Sequence, residues 1–281
     1  MEKHQPQLIS LLLNFCQLNE RHIRKMLCQS RVHKNKFVSI RAFVANNYFQ
    51  FKQFTVHQDS CAMKVCTDAC IFGAYLARQI NSSQQGAGAI LDIGSGTGLL
   101  SLMVAQKTNT PIDAVEMDEA AFQQAKRNFE LSPWKNQLNI FNTDALLFYP
   151  EKKYDCIISN PPFFDGDLKS GNKKKNSAKH DTTLTLEQLL QVIDKHLSPH
   201  GIFSVLLPCH RIDFFMEIAL TANYFLNEQL LIRHTKAHPL FRGILFFSHD
   251  KSIVVTNELV IKNTDGNYTA EFIRLLQDYY L

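Results

Sequence analysis

Between residues 89 and 222 apolar runs of strand length alternate with stretches of helical period, and the first junction reads Asp92-Ile93-Gly94-Ser95-Gly96-Thr97-Gly98. Strands are expected over residues 89–93, 112–116, 138–141, 154–159 and 202–207, and helices over 99–107, 119–131, 186–196 and 212–222. Strands joined by crossover helices make a parallel sheet covered on both faces, so the pattern predicts an α/β domain. Ligands of such sheets bind outside the carboxyl ends of the strands, where this glycine loop falls. The glycines permit a tight turn and a close approach of ligand to backbone. The dinucleotide fingerprint needs its third glycine where Leu99 stands, so hydride chemistry with a nicotinamide fits less well.

The flanks differ in texture. Residues 7–29 carry Leu8, Leu11, Leu12, Phe15, Leu18 and Met26 at helical spacing, and a basic stretch follows. The chain of 281 residues has a net charge of +4, but residues 1–43 hold eight Lys or Arg against two acids, a net of +6, so the remainder carries −2. Residues 1–43 therefore read as an appendage and residues 44–281 as the main domain, whose attraction for an anionic partner has to be local. The aromatic alternation from Tyr48 to Phe54 suggests a strand or hairpin. A helix is expected from Thr67-Asp68 to Arg78, and a connector over 81–88. Near the end, β-rich runs over 242–248 and 253–261 flank His249-Asp250-Lys251-Ser252, which predicts an antiparallel hairpin at the sheet edge before a last helix over 269–279. With no apolar run near the ~20 residues of a membrane span and no signal-peptide pattern, a cytosolic, membrane-free protein is expected. Seven cysteines without a C-x-x-C pair argue against a disulfide framework or a zinc ribbon, and no metal is implied.

Two carboxylates follow the glycine loop at successive strand ends. Glu116 lies about 20 residues beyond the glycines, where an acid accepts from ribose hydroxyls. Asp144 comes shortly after the third strand; the bland alternative for both is a polar helix cap. The fourth strand runs into Asn160-Pro161-Pro162-Phe163. The prolines hold Asn160 extended and remove competing backbone donors. The Asn160 carboxamide oxygen and the Pro161 carbonyl can each accept one N–H of a planar amine, while Phe163 stacks on the attached ring. Such a grip turns the nitrogen lone pair toward an incoming electrophile, so catalysis is positioning and electrostatics.

Glycine loop, acids and Asn-Pro-Pro-Phe together resemble class I methyltransferases, with a Rossmann-like, mostly parallel sheet and antiparallel strands at its C-terminal edge. From Tyr48 onward the chain resembles the bacterial tRNA(Val) adenine-N6 methyltransferase family, through Phe51-Lys52-Gln53-Phe54, Met63 to Asp68, Ala178-Lys179-His180 and the tail from Tyr268 to Leu281. The resemblance implies S-adenosylmethionine as cofactor, held by Asp92, Gly94, Gly96, Gly98, Glu116, Asp144 and Asn160, with Lys64, Thr67 and Asp68 as a bordering lid. It implies tRNA as substrate, with no obligate protein partner, and methylation of the adenosine 3′ of the anticodon, position 37. Asn160, Pro161 and Phe163 are the expected catalytic residues. Read as residues alone, Thr67 and Asp68 are a helix cap and Lys64 a solvated lysine. Cys66 and Ala69 depart from the glycines expected there. Relatives begin near Ala45, so the resemblance also implies that residues 1–43 lie outside the fold or are absent from a natural protein that starts at Val44.

Lys169, Lys173, Lys174, Lys175 and Lys179, with His180, form an acid-free stretch that reads equally as a phosphate clamp or a solvated loop, and Arg233 and Arg242 are further RNA-binding candidates. A ribosomal RNA guanine-N2 or protein-glutamine methyltransferase presents a similar amine to an Asn-Pro-Pro-aromatic site. An RNA-binding or chaperone module is the non-enzyme alternative, though a pure binder needs neither the glycine loop nor Asn160.

Overall fold

The computed structural model describes residues 47–60, 64–82, 88–162 and 184–280. The appendage over 1–43, Phe163 and the lysine-rich stretch with His180 lie outside the described residues.

The chain begins with a small hairpin, β1 (Tyr48–Gln50) and β2 (Thr55–His57), in antiparallel register. The alternating aromatics thus serve the turn as well as the strands: Phe51 and Phe54, in the connection, stack at 4.5 Å and are buried. Helix α1 (Thr67–Ser82) follows, a turn longer than its periodicity suggests. Then come β3 (Ile90–Ile93), α2 (Leu99–Ala105), β4 (Ile112–Glu116), α3 (Glu119–Glu130), β5 (Leu138–Asn142), β6 (Tyr154–Ser159), α4 (Leu186–His196), β7 (Leu197–Pro208), α5 (Cys209–Thr221), β8 (Phe225–Arg233), β9 (Leu240–Ser248), β10 (Val255–Val260) and α6 (Ala270–Leu276). Asp118 and Thr185 cap α3 and α4, the latter in a reciprocal box with Gln188.

The eight strands β3 to β10 form one sheet in the order β10-β8-β9-β7-β6-β3-β4-β5. Strand β9 pairs antiparallel with both β7 and β8, and every other pairing is parallel. The expected mostly parallel sheet with antiparallel pairing near its C-terminal edge is therefore present. The hairpin expected between 242–248 and 253–261 is not: β9 pairs with β8, and β10 lies parallel on the far side of β8. Both edges of β9 are already occupied, by β7 and β8, so β10 joins the outer edge of β8 instead. Residues 249–252 are instead tied to β8, because Asn227 Nδ2 donates to the Asp250 carbonyl and the Ser252 hydroxyl.

Apolar side chains cover both faces of the sheet, as parallel strands require. Ile90, Cys156, Ile158, Leu206, Ile244 and Phe246 pack with α1, α2 and α6 on one face, while Leu91, Ile157, Val205, Leu207, Leu245 and Phe247 pack with α4 and α5 on the other. No helix among the described residues is long and apolar enough to cross a membrane.

Candidate active site

Sheet register brings the expected residues to one rim. Ile93 pairs with Ser159 on one side and Val115 on the other, so Gly94, Asn160 and Glu116 leave neighbouring strands at the same level. Glu116 in turn pairs with Asn142, two residues before Asp144. The Ser159 hydroxyl donates to the Ile93 carbonyl at 2.8 Å and locks the glycine-loop strand to the Asn160 strand.

Gly94, Gly96 and Gly98 all have left-handed backbone, with φ of 72°, 55° and 78°, a conformation costing other residues about 1–2 kcal/mol. Their surroundings separate their roles. A Cβ at Gly94 or Gly96 would meet nothing within 4 Å, whereas one at Gly98 would collide with the Phe129 ring. The first two leave an open cradle; the third lets α2 and α3 pack. The loop is anchored by the Gly94 and Ser95 amides on the Val115 carbonyl and by the Gly96 amide on Glu116 Oε2 at 2.8 Å. Glu116 Oε1 accepts from the Asp118 amide, so Glu116 is no helix cap; it ties the end of β4 to the loop. Asp144 does cap, accepting from the Leu146 amide at the 3-10 turn Ala145–Leu147. Its other oxygen is not used by that cap.

Asp92 is fully buried beneath the loop. Its Oδ2 accepts from the Ser101 hydroxyl at 2.7 Å, and its Oδ1 has no hydrogen-bond partner among the described residues. Burial pushes its carboxyl up to about 7, against the Ser101 hydrogen bonds that pull it down, with the Glu116 charge adding to the rise. Two more buried polar atoms, Ser95 Oγ and Asn160 Oδ1, lack partners among the described residues. Buried polar groups are paired in nearly all native structures, so three such atoms at one loop, two of them acceptors and one a hydroxyl that can donate or accept, mark where a polar ligand belongs. Pro161 is buried and Pro162 exposed. An ammonium suits Asp92, hydroxyls suit Glu116, and an amine suits Asn160: the residues fit S-adenosylmethionine and a planar acceptor amine.

Sequence reasoning missed the residues that brace this loop. Asn128, buried on α3, donates to the carbonyls of Thr97 and His57, both at 2.9 Å, and accepts from the His57 amide. Gln124, one turn earlier, accepts from the Ser60 amide, and Gln58 accepts from that of Val65. These side chains fasten the segment preceding Lys64 to α3 and the glycine loop. The available signal was a pair of amides at i, i+4 on the apolar stripe of Ala121, Ala125 and Phe129. Met117, 47% exposed directly after Glu116, offers an apolar surface that was also overlooked.

The lid candidates sit at the start of α1. Lys64 is exposed, Thr67 is the first helical residue, and Asp68 is bound by Arg242 Nε at 2.9 Å. Asp68 is not the cap, since Cys66 precedes the helix and its carbonyl accepts from the Cys70 amide. Arg242 is thus engaged by a protein carboxylate, and Arg233 pairs with Glu258 at 2.7 Å.

A glycine loop after the first strand of this sheet, acids at the next two strand ends and an Asn-Pro-Pro exit beside them define a class I S-adenosylmethionine-dependent methyltransferase. The methyltransferase small domain family model matches residues 73–207. Two solved structures share the fold: a protein described as a predicted O-methyltransferase from Agrobacterium tumefaciens (TM-score 0.58, 15% identity, 75% of this chain and 96% of that one) and one described as a putative class I S-adenosylmethionine-dependent methyltransferase from Listeria monocytogenes (TM-score 0.52, 15%, 77% and 73%). Curated relatives are nearer. The tRNA1(Val) (adenine(37)-N6)-methyltransferase of Dyadobacter fermentans is 44% identical over 241 residues, covering 84% of this chain and 98% of the relative. That of Pectobacterium carotovorum is 38% identical over 237 residues, covering 83% and 93%. The chain belongs to the tRNA1(Val) (adenine(37)-N6)-methyltransferase family.

Proposed function

We propose that this protein methylates the exocyclic N6 amine of adenosine 37 of tRNA(Val), using S-adenosylmethionine and acting in the cytoplasm. The observation that carries the chemistry is the trio of polar atoms without a partner among the described residues, Asp92 Oδ1, Ser95 Oγ and Asn160 Oδ1, around an open glycine cradle. Family membership carries the choice of substrate. When bound, S-adenosylmethionine supplies an electrophilic methyl group on a sulfonium. Asp92 and Ser95 would hold its amino-acid end, Glu116 its ribose hydroxyls and Asp144 its adenine amine. Asn160 Oδ1 and the Pro161 carbonyl accept the two N–H bonds of the adenosine amine, which orients the lone pair without prior deprotonation. Phe163 stacks on the extruded base, and Lys64 and Thr67 border the cofactor. Extrusion has an unstacking cost of a few kcal/mol, which such stacking offsets in part.

Lys169, Lys173, Lys174, Lys175, Lys179 and His180 serve as phosphate contacts in this reading, residues 44–281 are the catalytic unit, and residues 1–43 are an appendage to it. Replacing the five lysines is expected to weaken tRNA binding and to flatten its salt dependence by about 0.7–0.9 for each phosphate that a lysine neutralises. An unchanged slope in a filter-binding titration would rule out the lysine clamp. Nucleoside mass spectrometry after reaction with labelled cofactor tests the function itself, since N2-methylguanosine or label retained in protein would point to a different acceptor amine.

A further inference from the structure

The rim carries a second cluster, one strand beyond the neighbour of the Asn160 strand. At the start of β9 the register slips: Ile232 pairs with Arg242 and Arg233 with Leu240, leaving Phe241 as an extra residue. Bulges of this kind re-aim side chains and are enriched beside active sites. The result here is a flat stack. The His234 ring lies on the Phe241 ring with centroids 4.3 Å apart and planes 4° from parallel, and both rings are half-buried. Arg242 stands 5.6 Å from the Phe241 centroid. The Lys262 amide donates to the His234 carbonyl, which brings that lysine alongside, and His238 packs edge-on to His234 at 6.1 Å. The charges felt by His234 are those of His238, Lys262 and Arg242, opposed by Asp68 alone, and Asp68 is already bound to Arg242. Burial, followed by the neighbouring His238, lowers the His234 imidazole below its usual range.

Strand register places this cluster on the same side of the sheet as the amine site. Ser159 pairs with Val205 and Arg242 with Pro208, three residues further along β7, so the cluster lies at the same carboxyl end, two strands or roughly 10 Å sideways and about 10 Å further outward along the strands. Planar rings in a basic setting beside a site for an extruded base are what an unpaired nucleotide requires: a stacking face and positive charge near its phosphate. We propose that the His234–Phe241 stack is a docking platform for an unpaired nucleobase of the RNA within a few nucleotides of the target adenosine, with the charge of Lys262 and Arg242 alongside. This assignment rests on the RNA reading of the Asn160 site.

The test uses the full-length protein and unmodified tRNA(Val), comparing His234→Ala, His234→Phe and Phe241→Leu with wild type. The expected result is a rise of roughly tenfold in tRNA Kd and KM for His234→Ala, within the ~5- to ~150-fold range that base stacking carries. kcat, S-adenosylmethionine affinity and melting temperature should stay close to wild type, and the salt slope of tRNA binding should not change. His234→Phe should keep tRNA affinity within about twofold of wild type, because it retains the ring. A tRNA Kd for His234→Ala within twofold of wild type overturns the platform. So does a parallel loss of cofactor affinity or stability, a salt slope altered by about one, which would make His234 a phosphate contact, or a His234→Phe as weak as the alanine variant in a folded protein. The Kd is read by filter binding and needs no turnover, so a wild type that binds tRNA but forms no N6-methyladenosine would count against the proposed reaction and leave the platform to be judged on binding alone.

Discussion

Asn160 and the loop glycines make separable demands on the molecule. Asn160 Oδ1 has no partner within the described protein, so Asn160→Ala removes no structural hydrogen bond at that atom. Turnover is expected to fall ~100- to 1,000-fold, the scale set by removing one positioned group from a transition state, with the melting temperature unmoved. Differential scanning fluorimetry beside a methylation assay checks both halves. Gly94→Ala and Gly98→Ala share the left-handed backbone penalty, about 1–2 kcal/mol each. Only the latter also displaces the Phe129 ring, so it should unfold at the lower temperature, whereas Gly94→Ala should lose more cofactor affinity by calorimetry because its methyl enters the cradle. Asp92 gives a pH signature. Its folded-state value of about 7 stands above the usual 3.8, so between these values the native protein keeps a proton that the unfolded chain has released. Ligand-free stability should therefore decline as pH rises through that window, and Asp92→Asn should remove this component. Cofactor affinity should rise through about pH 7 as the carboxylate forms opposite an ammonium. The glycines, Asp92 and Asn160 were legible in the sequence because their backbone and chemical requirements are specific to residue type. Asn128 was not, since an asparagine between Arg127 and Phe129 looks like any residue at the edge of a solvated face until the fold places His57 and Thr97 against it.

Among the elements, most strands and helices from Ile90 to Thr221 matched their apolar periodicity to within a few residues. Strand β8 did not announce itself. Its centre, Asn227-Glu228-Gln229, interrupts the alternation on which strand recognition depends, and all three side chains find polar partners only in the folded state. Glu228 accepts from the Tyr75 hydroxyl and the Gln79 amide of α1, and Asn257 of β10 donates to the same Tyr75 oxygen. Missing β8 is what made a β9–β10 hairpin look natural. The polar cluster fixes α1 across the β8–β10 edge, so Tyr75→Phe should destabilise the protein by about 1–3 kcal/mol, because it leaves the half-buried Glu228 short of a donor. Urea denaturation measures this, and an unchanged midpoint would mean that the edge is held by apolar packing alone.

At the scale of the whole molecule, the sheet order gathers residues distant in sequence onto one carboxyl rim: the glycine loop and acids at β3, β4 and β5, Asn160 at β6, and the His234–Phe241 stack where β8 meets β9. The catalytic residues and the proposed platform thus share a rim, and the Asp68–Arg242 pair pins the start of α1 to the start of β9 beside the stack. The chemistry could be read from motifs; the acceptor came from resemblance to a family, because no single residue distinguishes an adenine amine from a guanine or glutamine amine. The most direct test is nucleoside mass spectrometry of tRNA(Val) incubated with S-adenosylmethionine and either wild type or Asn160→Ala. N6-methyladenosine at position 37 is predicted with wild type, and with the variant its initial rate of formation is predicted to be ~100- to 1,000-fold lower. Methylation at another base, or full turnover by Asn160→Ala, would contradict the proposed reaction.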